Sequence, residues 1–268
     1  MQAYITGIVP ISSAHWTKDT CLTIYFAGCD FRCPFCFSPD DIDFKEHFLV
    51  ELKEIRCQIR INAPLVKGIY ITGGEPCLQR QALLSIARFA KGLGLKVCID
   101  TNGSKPETIR FLVRERLVDF ISLDIKAPFD PELFERVTRS KTFFKQTNDI
   151  INCVRETLRV IRANSESIDA EVRTTIVPGA IFKKEDLLEI AELVDDLDVP
   201  WVLQPFNPSG GKVVDRRFCR IRPPTLQFIE NIRRACYNKF PQLRIEIQRR
   251  EKEQPEIVFS KSAREDEK

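Results

Sequence analysis

The stretch Cys29-Asp-Phe-Arg-Cys33-Pro-Phe-Cys36 places three thiols close together, directly after an apolar, strand-like run over residues 20–27. Three such cysteines can bind an iron–sulfur cluster or zinc, but three are one short of a closed tetrahedral zinc site. In a [4Fe–4S] cluster held by three cysteines, one iron keeps an open position that a small molecule with an amine and a carboxylate can chelate. The alternative is a structural zinc site with a fourth ligand from Cys21, Cys57, His15 or His47.

A second motif, Gly73-Gly74-Glu75-Pro76, begins 37 residues after Cys36 and follows a strand-like run over residues 67–72. Two glycines let the backbone approach a ligand closely. A glutamate and bare backbone groups can then hold an ammonium group. The position of the motif, one βα unit after the cysteines, therefore favours the cluster with a bound small molecule over the zinc site.

At these residues the sequence resembles the radical S-adenosylmethionine (SAM) superfamily, whose signature is Cys-x3-Cys-x-aromatic-Cys followed by Gly-Gly-Glu-Pro. Phe35 occupies the aromatic position. Gly7-Ile-Val-Pro-Ile-Ser-Ser, Trp16 and Leu203-Gln-Pro-Phe206 further resemble the activating proteins of anaerobic ribonucleotide reductase and pyruvate formate-lyase. The likeness extends from about Tyr4 to Asn207.

The pattern of the chain predicts an α/β fold. Strand-like runs cover residues 20–27, 68–72, 96–100, 120–124, 170–177 and 201–206, and helical periodicity covers 44–61, 79–90, 106–114, 148–163 and 183–194. Right-handed crossovers between such parallel strands produce an open partial (β/α)6 barrel, here of the radical SAM type, over residues 1–208. A C-terminal helix (224–240) and strand (243–248) form an appendage packed on the barrel over 209–260, and we expect the charged tail 261–268 to be disordered.

Polar residues stand at the ends of two adjacent predicted strands. Asp100 and Thr101 end one strand, and Asp124 and Lys126 end the next. Together the oxygens of Asp100, Thr101 and Asp124 form a pocket suited to a hard cation. A structural salt bridge between Lys126 and an aspartate is the alternative.

The resemblance implies roles for these and other residues. Cys29, Cys33 and Cys36 would hold one [4Fe–4S] cluster, and Asp100, Thr101 and Asp124 a monovalent cation. Arg173 would pair either with the SAM carboxylate or with Asp124, and Asn207 replaces a histidine that relatives often place at the SAM ribose. The full set expected to bind SAM is Phe35, Phe37, Gly73, Gly74, Glu75, Pro76, Asp100, Thr101, Asn102, Asp124, Lys126, Arg173 and Asn207.

The composition is that of an ordinary globular protein: 268 residues, 43% hydrophobic, 29% charged and a net charge of +3. No apolar run reaches the length of a membrane span, and the first residues lack the pattern of a signal peptide. We therefore expect a cytoplasmic protein without a membrane partner, in which most of the ten cysteines are reduced.

One stretch is strongly basic. Residues 212–252 contain 12 Lys or Arg and 4 Asp or Glu. Such a stretch can be a solvated face, or it can bind RNA or an acidic partner surface.

Three functional hypotheses follow. The first is a radical SAM enzyme that reductively cleaves SAM to a 5′-deoxyadenosyl radical and installs a glycyl radical on a partner, most plausibly anaerobic ribonucleotide reductase, with flavodoxin or ferredoxin as electron donor. The second keeps this chemistry but modifies RNA or a small molecule, as in tRNA modification or deazapurine synthesis. The third is a zinc-stabilised binding module without catalysis.

Overall fold

The computed structural model describes residues 1–13, 19–208 and 212–248. It contains one sheet of nine strands in the order β3-β1-β2-β4-β5-β6-β7-β8-β9, open between β3 and β9. The strands are β1 Gln2–Ser12, β2 Cys21–Phe26, β3 Leu49–Glu51, β4 Gly68–Gly73, β5 Lys96–Thr101, β6 Phe120–Asp124, β7 Asp169–Ile176, β8 Trp201–Pro205 and β9 Ile245–Ile247. The helices are α1 Leu52–Asn62, α2 Arg80–Gly92, α3 Pro106–Arg114, α4 Pro131–Thr138, α5 Thr147–Arg162, α6 Lys184–Val194 and α7 Leu226–Lys239.

Along the sheet from β2 through β4 to β9, neighbouring strands pair in parallel. The side chains of each strand alternate between the two faces of the sheet. One face carries buried apolar residues such as Ile24, Ile71 and Ile99, which pack with the helices in a single core. The other face, called here the inner face, has its own small cluster of Cys21, Tyr70, Cys98 and Phe120. Among the described residues, the apolar side chains of the helices thus pack against the face that carries Ile24, Ile71 and Ile99, as expected for the predicted open barrel.

The prediction of alternating strands and helices in a partial barrel is confirmed, but the first predicted helix, 44–61, is wrong over residues 44–51. Glu46–Phe48 forms a single 3₁₀ turn, and β3 then pairs antiparallel with the start of β1. Helix α1 begins only at Leu52. Leu49 and Val50 satisfy the open edge of β1 there, so tertiary pairing outweighs the helical pattern.

Two further features differ from the predicted pattern. The β-like opening of the chain, expected to be short, is the eleven-residue strand β1, which pairs antiparallel with β2, so the sheet is not parallel throughout. Helix α4 begins after Asp130, whose carboxylate accepts a hydrogen bond from the amide of Leu133 at 2.7 Å. This N-cap followed by Pro131 is a local helix-start signal that the wider pattern obscured.

The C-terminal segment extends the same sheet. β9 pairs in parallel with β8, and Phe228 of α7 stacks on Phe182 with 4.1 Å between ring centroids. Trp16, His15, the proposed boundary at residues 209–211 and the charged tail lie outside the described residues. Among the helices of the described ranges, none has the length and hydropathy that crossing a bilayer requires.

The side chain of Gln79 connects β1 with the end of β2. Its Oε1 accepts a hydrogen bond from the Tyr4 amide at 2.8 Å, and its Nε2 donates to the carbonyls of Tyr4 at 2.9 Å and Ala27 at 3.0 Å. Ala27 is two residues before the first cysteine of the motif. Gln79 thereby fixes the base of the cysteine-containing loop.

We expect Gln79→Ala to lower the free energy of unfolding by about 2–4 kcal/mol, because three hydrogen bonds to backbone groups are lost. Gln81→Ala, at an exposed position of the next helix, is the control and should change it by less than about 0.5 kcal/mol. Urea unfolding followed by circular dichroism measures both. Equal effects of the two substitutions would contradict the role assigned to Gln79.

Candidate active site

The predicted site residues meet at one edge of the sheet. The cysteine loop follows β2, the two glycines follow β4, Asn102 follows β5 and Lys126 follows β6. Because these strands are parallel, their carboxyl ends share an edge, which is where α/β barrels place their chemistry.

The cysteine loop, residues 28–36, is held by backbone hydrogen bonds from its periphery. Gly28 turns the chain at φ +90° and donates to the Asp41 carbonyl at 2.8 Å. Arg32 donates its amide to the Thr138 carbonyl at 2.7 Å, and the Asp215 amide donates to the Pro34 carbonyl at 2.8 Å. Three distant segments therefore fix the loop through its main chain and leave the thiols uninvolved in this framework.

None of the three cysteines of the loop forms a disulfide, and their side chains are buried or half-buried. Burial raises the pKa of Cys33 to about 12, and the nearby Lys126 ammonium opposes this rise. Burial also raises the pKa of Cys29, whose sulfur accepts a hydrogen bond from the Phe31 amide at 3.4 Å. Without a cation the Cys29 and Cys33 thiols stay protonated, whereas metal binding requires thiolates.

The donor set fits a cluster better than a single zinc ion. Within the described ranges, no group of three or more His, Cys, Asp or Glu side chains is arranged to hold one metal ion. Four sulfurs around one zinc lie only about 3.8 Å apart, given Zn–S bonds of about 2.3 Å. The cysteines of a four-iron cube bind different iron atoms and are more widely separated, so three spaced thiols on one loop suit the cube.

Three of the four side chains considered as a fourth zinc ligand, Cys21, Cys57 and His47, lie elsewhere, and His15 is outside the described residues. Cys21 is at the start of β2, at the opposite end of the strand from the loop, and its thiol contacts the Ser12 carbonyl at 3.5 Å. Cys57 is exposed on α1, and the ring of His47 lies against Phe48 at 4.2 Å between centroids.

The two glycines press against the base of the cysteine loop. A Cβ on Gly74 would lie 2.2 Å from the Gly28 carbonyl oxygen, and one on Gly73, at φ +108°, would lie 2.3 Å from that of Phe26. The Gly74 amide donates to the Phe26 carbonyl at 2.8 Å, and the Glu75 amide donates to the Gly28 carbonyl at 2.7 Å. The two glycines are thus required for close packing against the base of the cysteine loop, in addition to the close approach to a ligand that the sequence suggested.

Glu75 is completely buried and joins two strand ends. Its carboxylate accepts hydrogen bonds from the Asn102 amide at 2.6 Å, the Cys77 amide at 3.0 Å and the Thr101 hydroxyl at 3.0 Å. Burial, together with the charge of Asp30, raises its pKa to about 7 despite these donors. The glutamate therefore orders the β5 turn, a structural task that the motif alone did not reveal.

Asp100 belongs to a polar network on the inner face. It accepts hydrogen bonds from the Tyr70 hydroxyl at 2.5 Å, the Thr72 hydroxyl at 2.7 Å and Nη1 of Arg173 at 3.0 Å. Nε of Arg173 also pairs with Glu171. The guanidinium thus contacts Asp100 and Glu171, and the two pairings considered from the sequence, with the SAM carboxylate or with Asp124, stay predictions.

The structure does not gather the predicted cation pocket as expected. The Thr101 hydroxyl turns to Glu75, whereas Asp100 points to the inner face, because neighbouring residues of a strand alternate. Asp124 accepts a hydrogen bond from Lys126 Nζ at 3.0 Å, which is the salt bridge kept open above. These contacts employ the same oxygens that a cation would need.

Lys126 lies between a carboxylate and the thiols. Burial alone would lower its pKa, but Asp124, Cys33 and Cys36 together raise it on balance. The ammonium therefore stays charged beside the cysteine loop, where it can stabilise thiolates.

Aromatic rings close one side of the loop. Phe37, 44% exposed, stacks on Phe206 with 5.2 Å between centroids and a 20° angle, and Phe35 meets Phe206 edge-on at 6.5 Å. Phe218 also packs on Phe35, at 6.1 Å. Asn207 directly follows Phe206, and Pro76 begins the short helix after Glu75.

The sequence analysis missed Asp30, which lies inside the cysteine motif. Its carboxylate accepts hydrogen bonds from Asn102 Nδ2 at 2.9 Å, the Ser104 hydroxyl at 2.7 Å and Lys105 Nζ at 2.9 Å. Burial raises its pKa, but Lys105 and these donors more than reverse this, so it stays ionised. A carboxylate flanked by cysteines and followed along the chain by a polar turn with a lysine was the available signal.

We expect Gly74→Ala to lower the free energy of unfolding by about 3 kcal/mol, because the new methyl meets backbone oxygens of Gly28 and Asp41 that no side-chain rotation can remove. Gly92→Ala is the matched control: its Cβ meets no atom within 4 Å at the end of α2, and it should stabilise by up to about 1 kcal/mol. Urea titrations of the purified variants test the pair. Similar small effects at both glycines would refute the close packing of the two motifs.

Comparison with known proteins agrees with this geometry. A family model described as the radical SAM superfamily matches residues 23–194. A protein of Methanocaldococcus jannaschii, named as a proposed glycyl-radical enzyme activating enzyme, is 33% identical over 226 residues, covering 84% of this chain and 88% of that protein. The pyruvate formate-lyase-activating enzyme of Staphylococcus aureus is 28% identical over 185 residues, covering 65% and 69%.

Solved structures share the fold at low identity. Streptococcus suis SuiB, solved with its precursor peptide SuiA, matches with a TM-score of 0.61 and 15% identity over 84% of this chain and 48% of SuiB. A radical SAM methyltransferase of Sphaerobacter thermophilus also gives 0.61, with 16% identity over 85% and 66%. With its cysteine loop, its paired glycines and this family match, the chain belongs to the radical SAM superfamily and is a radical SAM enzyme, which implies a [4Fe–4S] cluster and SAM as cofactors.

Proposed function

We propose that this enzyme installs a glycyl radical on a partner enzyme, anaerobic ribonucleotide reductase. The observation that carries the proposal is the juxtaposition of three closely spaced cysteines on one loop, none of them in a disulfide, with the Gly73–Gly74 backbone at the carboxyl edge of the sheet. The relative named for activating glycyl-radical enzymes supports this choice of reaction. Bound together, the cluster and SAM supply a 5′-deoxyadenosyl radical, and the chain must position and shield it.

In this proposal Cys29, Cys33 and Cys36 are the cluster ligands. Their donor set leaves the fourth iron to SAM, and no fourth candidate ligand joins the loop among the described residues. Lys126, charged and beside two of the thiols, balances the negative charge of the thiolates.

We assign the cofactor contacts by the position of each group and by the contacts that it already makes within the protein. Bare backbone at Gly73, Gly74 and Glu75 faces the SAM ammonium, with Pro76 ending the turn. Lys126 is better placed than Arg173 for the SAM carboxylate, because Lys126 lies beside Cys33 and Cys36, whereas Arg173 contacts Asp100 and Glu171 on the inner face. Phe37, stacked on Phe206, and Phe35, edge-on to it, form the adenine side, and Asn102 and Asn207 complete the polar border.

A protein substrate suits the open sheet. β3 and β9 end the sheet without meeting, so the inner face is open on one side. A loop of a second protein can enter there with its glycine. A cytoplasmic location and a flavodoxin or ferredoxin donor stay predictions of the sequence.

The cysteine assignment predicts that Cys29→Ser, Cys33→Ser or Cys36→Ser each abolishes retention of iron after anaerobic reconstitution, since two cysteines cannot hold the cube. Cys57→Ser, exposed on α1, is the control and should retain iron and sulfide at the level of the unsubstituted protein. Iron and sulfide analysis and visible absorbance give the readout. Zinc bound in place of iron would instead support the binding-module alternative.

The target is tested by mixing reconstituted enzyme, SAM, dithionite and an anaerobic ribonucleotide reductase. We expect a glycyl doublet in the electron paramagnetic resonance spectrum, present with the reductase and absent without it or with the Cys33→Ser enzyme. Cleavage of SAM with a silent reductase would exclude this target and favour modification of RNA or a small molecule.

A further inference from the structure

Two basic segments border the outer side of the cysteine loop. Residues 136–145 contain four Lys or Arg and no acidic residue, and residues 212–222 contain five and one. We call the two segments together the basic rim. The basic residues of the rim that are exposed are Arg136, Arg139, Lys141, Lys145, Lys212, Arg216, Arg217, Arg220 and Arg222.

Both segments of the basic rim touch the main chain of the cysteine loop. The Thr138 carbonyl accepts the Arg32 amide at 2.7 Å and lies 4.0 Å from the Cys33 sulfur. In the second segment, the Val214 amide donates to the Cys36 carbonyl at 3.3 Å. Arg139 of the first segment and Arg217 of the second both pair with Asp215, so the rim is one continuous surface.

An apolar pair projects from the first segment. Phe143 and Phe144 are 91% and 89% exposed and pack edge-to-face with 5.1 Å between ring centroids. Lys141 and Lys145 flank them. Large aromatic side chains at such exposure, surrounded by charge, are typical anchors of a protein interface.

We propose that the basic rim docks an acidic one-electron donor protein, such as a flavodoxin. The proposal rests on the function proposed above, because it assumes a cluster within the loop. The rim contacts the loop through its main chain, whereas the Cys29 sulfur faces Asn102 at the sheet edge, at 3.9 Å. A donor on the rim can therefore reach the cluster without obstructing the SAM side. The donor loses one electron and the cluster gains it, with no bond or proton transferred.

The test reverses one charge in each segment, Lys141→Glu with Arg216→Glu, neither of which has an assigned role at the site. The control reverses two exposed lysines at distant elements, Lys53→Glu on α1 and Lys67→Glu before β4. Binding of oxidised flavodoxin to each reconstituted protein is measured by biolayer interferometry at low and high salt. We expect the rim variant to bind at least about tenfold more weakly at low salt, with a shallower salt dependence, and the control to bind normally.

A second measurement separates docking from chemistry. SAM cleavage driven by dithionite, which needs no docked protein, should be unchanged in the rim variant. Equal flavodoxin binding by both variants would overturn the proposal. It would also be overturned if the rim variant lost binding of tRNA or of the reductase while keeping flavodoxin. Failure of the glycyl doublet with intact rim-dependent flavodoxin binding would refute the proposed target alone.

A different observation concerns Gln204 on β8. The residue is 9% exposed, its Oε1 accepts a hydrogen bond from the Thr175 hydroxyl at 3.3 Å, and its Nε2 is buried without a hydrogen-bond partner among the described residues. Turning the amide over would only leave the oxygen unmatched instead, because Thr175 is the one described partner. A buried amide left unsatisfied is costly, so its presence calls for a ligand.

We infer that Gln204 binds an oxygen acceptor of the molecule that occupies the inner face. Thr175 lies opposite Gln204 in the β7–β8 register, on the same face as Arg173. Phe206, two residues later, packs on Phe35 of the cysteine loop. The acceptor is therefore a hydroxyl or carboxylate of SAM, or a backbone carbonyl of the substrate.

Gln204→Met distinguishes a ligand contact from a structural one. We expect the melting temperature of the free protein to rise by about 2–4 °C, because an unsatisfied buried group is removed. Affinity for one of two probes, S-adenosylhomocysteine or a glycine-containing peptide from the reductase, should fall about 5–20-fold by calorimetry. The affected probe identifies the source of the acceptor. Gln81→Met, at an exposed site, is the control; a lower melting temperature for Gln204→Met, or unchanged affinity for both probes, would overturn the inference.

Discussion

The site depends on the pairing of β2 with β4, which ends by placing Phe26 opposite Gly73. Because of this register, the residues that follow the two strands are in direct contact. The Glu75 amide donates a hydrogen bond to the Gly28 carbonyl, and there is no room for a methyl group on Gly74. The cysteine loop and the glycine turn are thus parts of one packed unit. A shift of one residue in either strand would separate them and invert every side chain between the two faces.

Around this unit the structure distributes buried charge in pairs. Asp30 forms a salt bridge with Lys105, Asp124 with Lys126, and Asp100 with Arg173. Removing one partner from such a pair leaves an uncompensated charge and costs more than the pair itself contributes. Glu75 is the exception, since its partners are amides and hydroxyls, and burial together with the charge of Asp30 raises its pKa to about 7 despite these donors. The framework is polar where the cofactors would sit and apolar where the helices pack.

Much of this could be predicted from the sequence because the informative residues are local. Strands β2 and β4 to β8, and the cysteine and glycine motifs, are visible in the sequence as short, periodic or closely spaced patterns. β3 could not be predicted, since its conformation depends on pairing with β1 some fifty residues away. The partners of Thr101 and Arg173 could not be predicted either, because they depend on which face of a strand a side chain occupies and on neighbours from other strands. Asp30 and Gln204 belong to quoted motifs, yet their contacts appear only in three dimensions.

The parallel pairing of β9 with β8 has a consequence for how the chain can be divided. A fragment ending at Pro208 would leave the backbone amides and carbonyls of β8 uncovered, with the buried ring of Trp201 on that strand. Unprotected strands of this kind recruit other chains and aggregate. Helix α7 and strand β9 therefore cover this edge of the sheet, and shortened forms of the enzyme need a replacement cover to avoid aggregation.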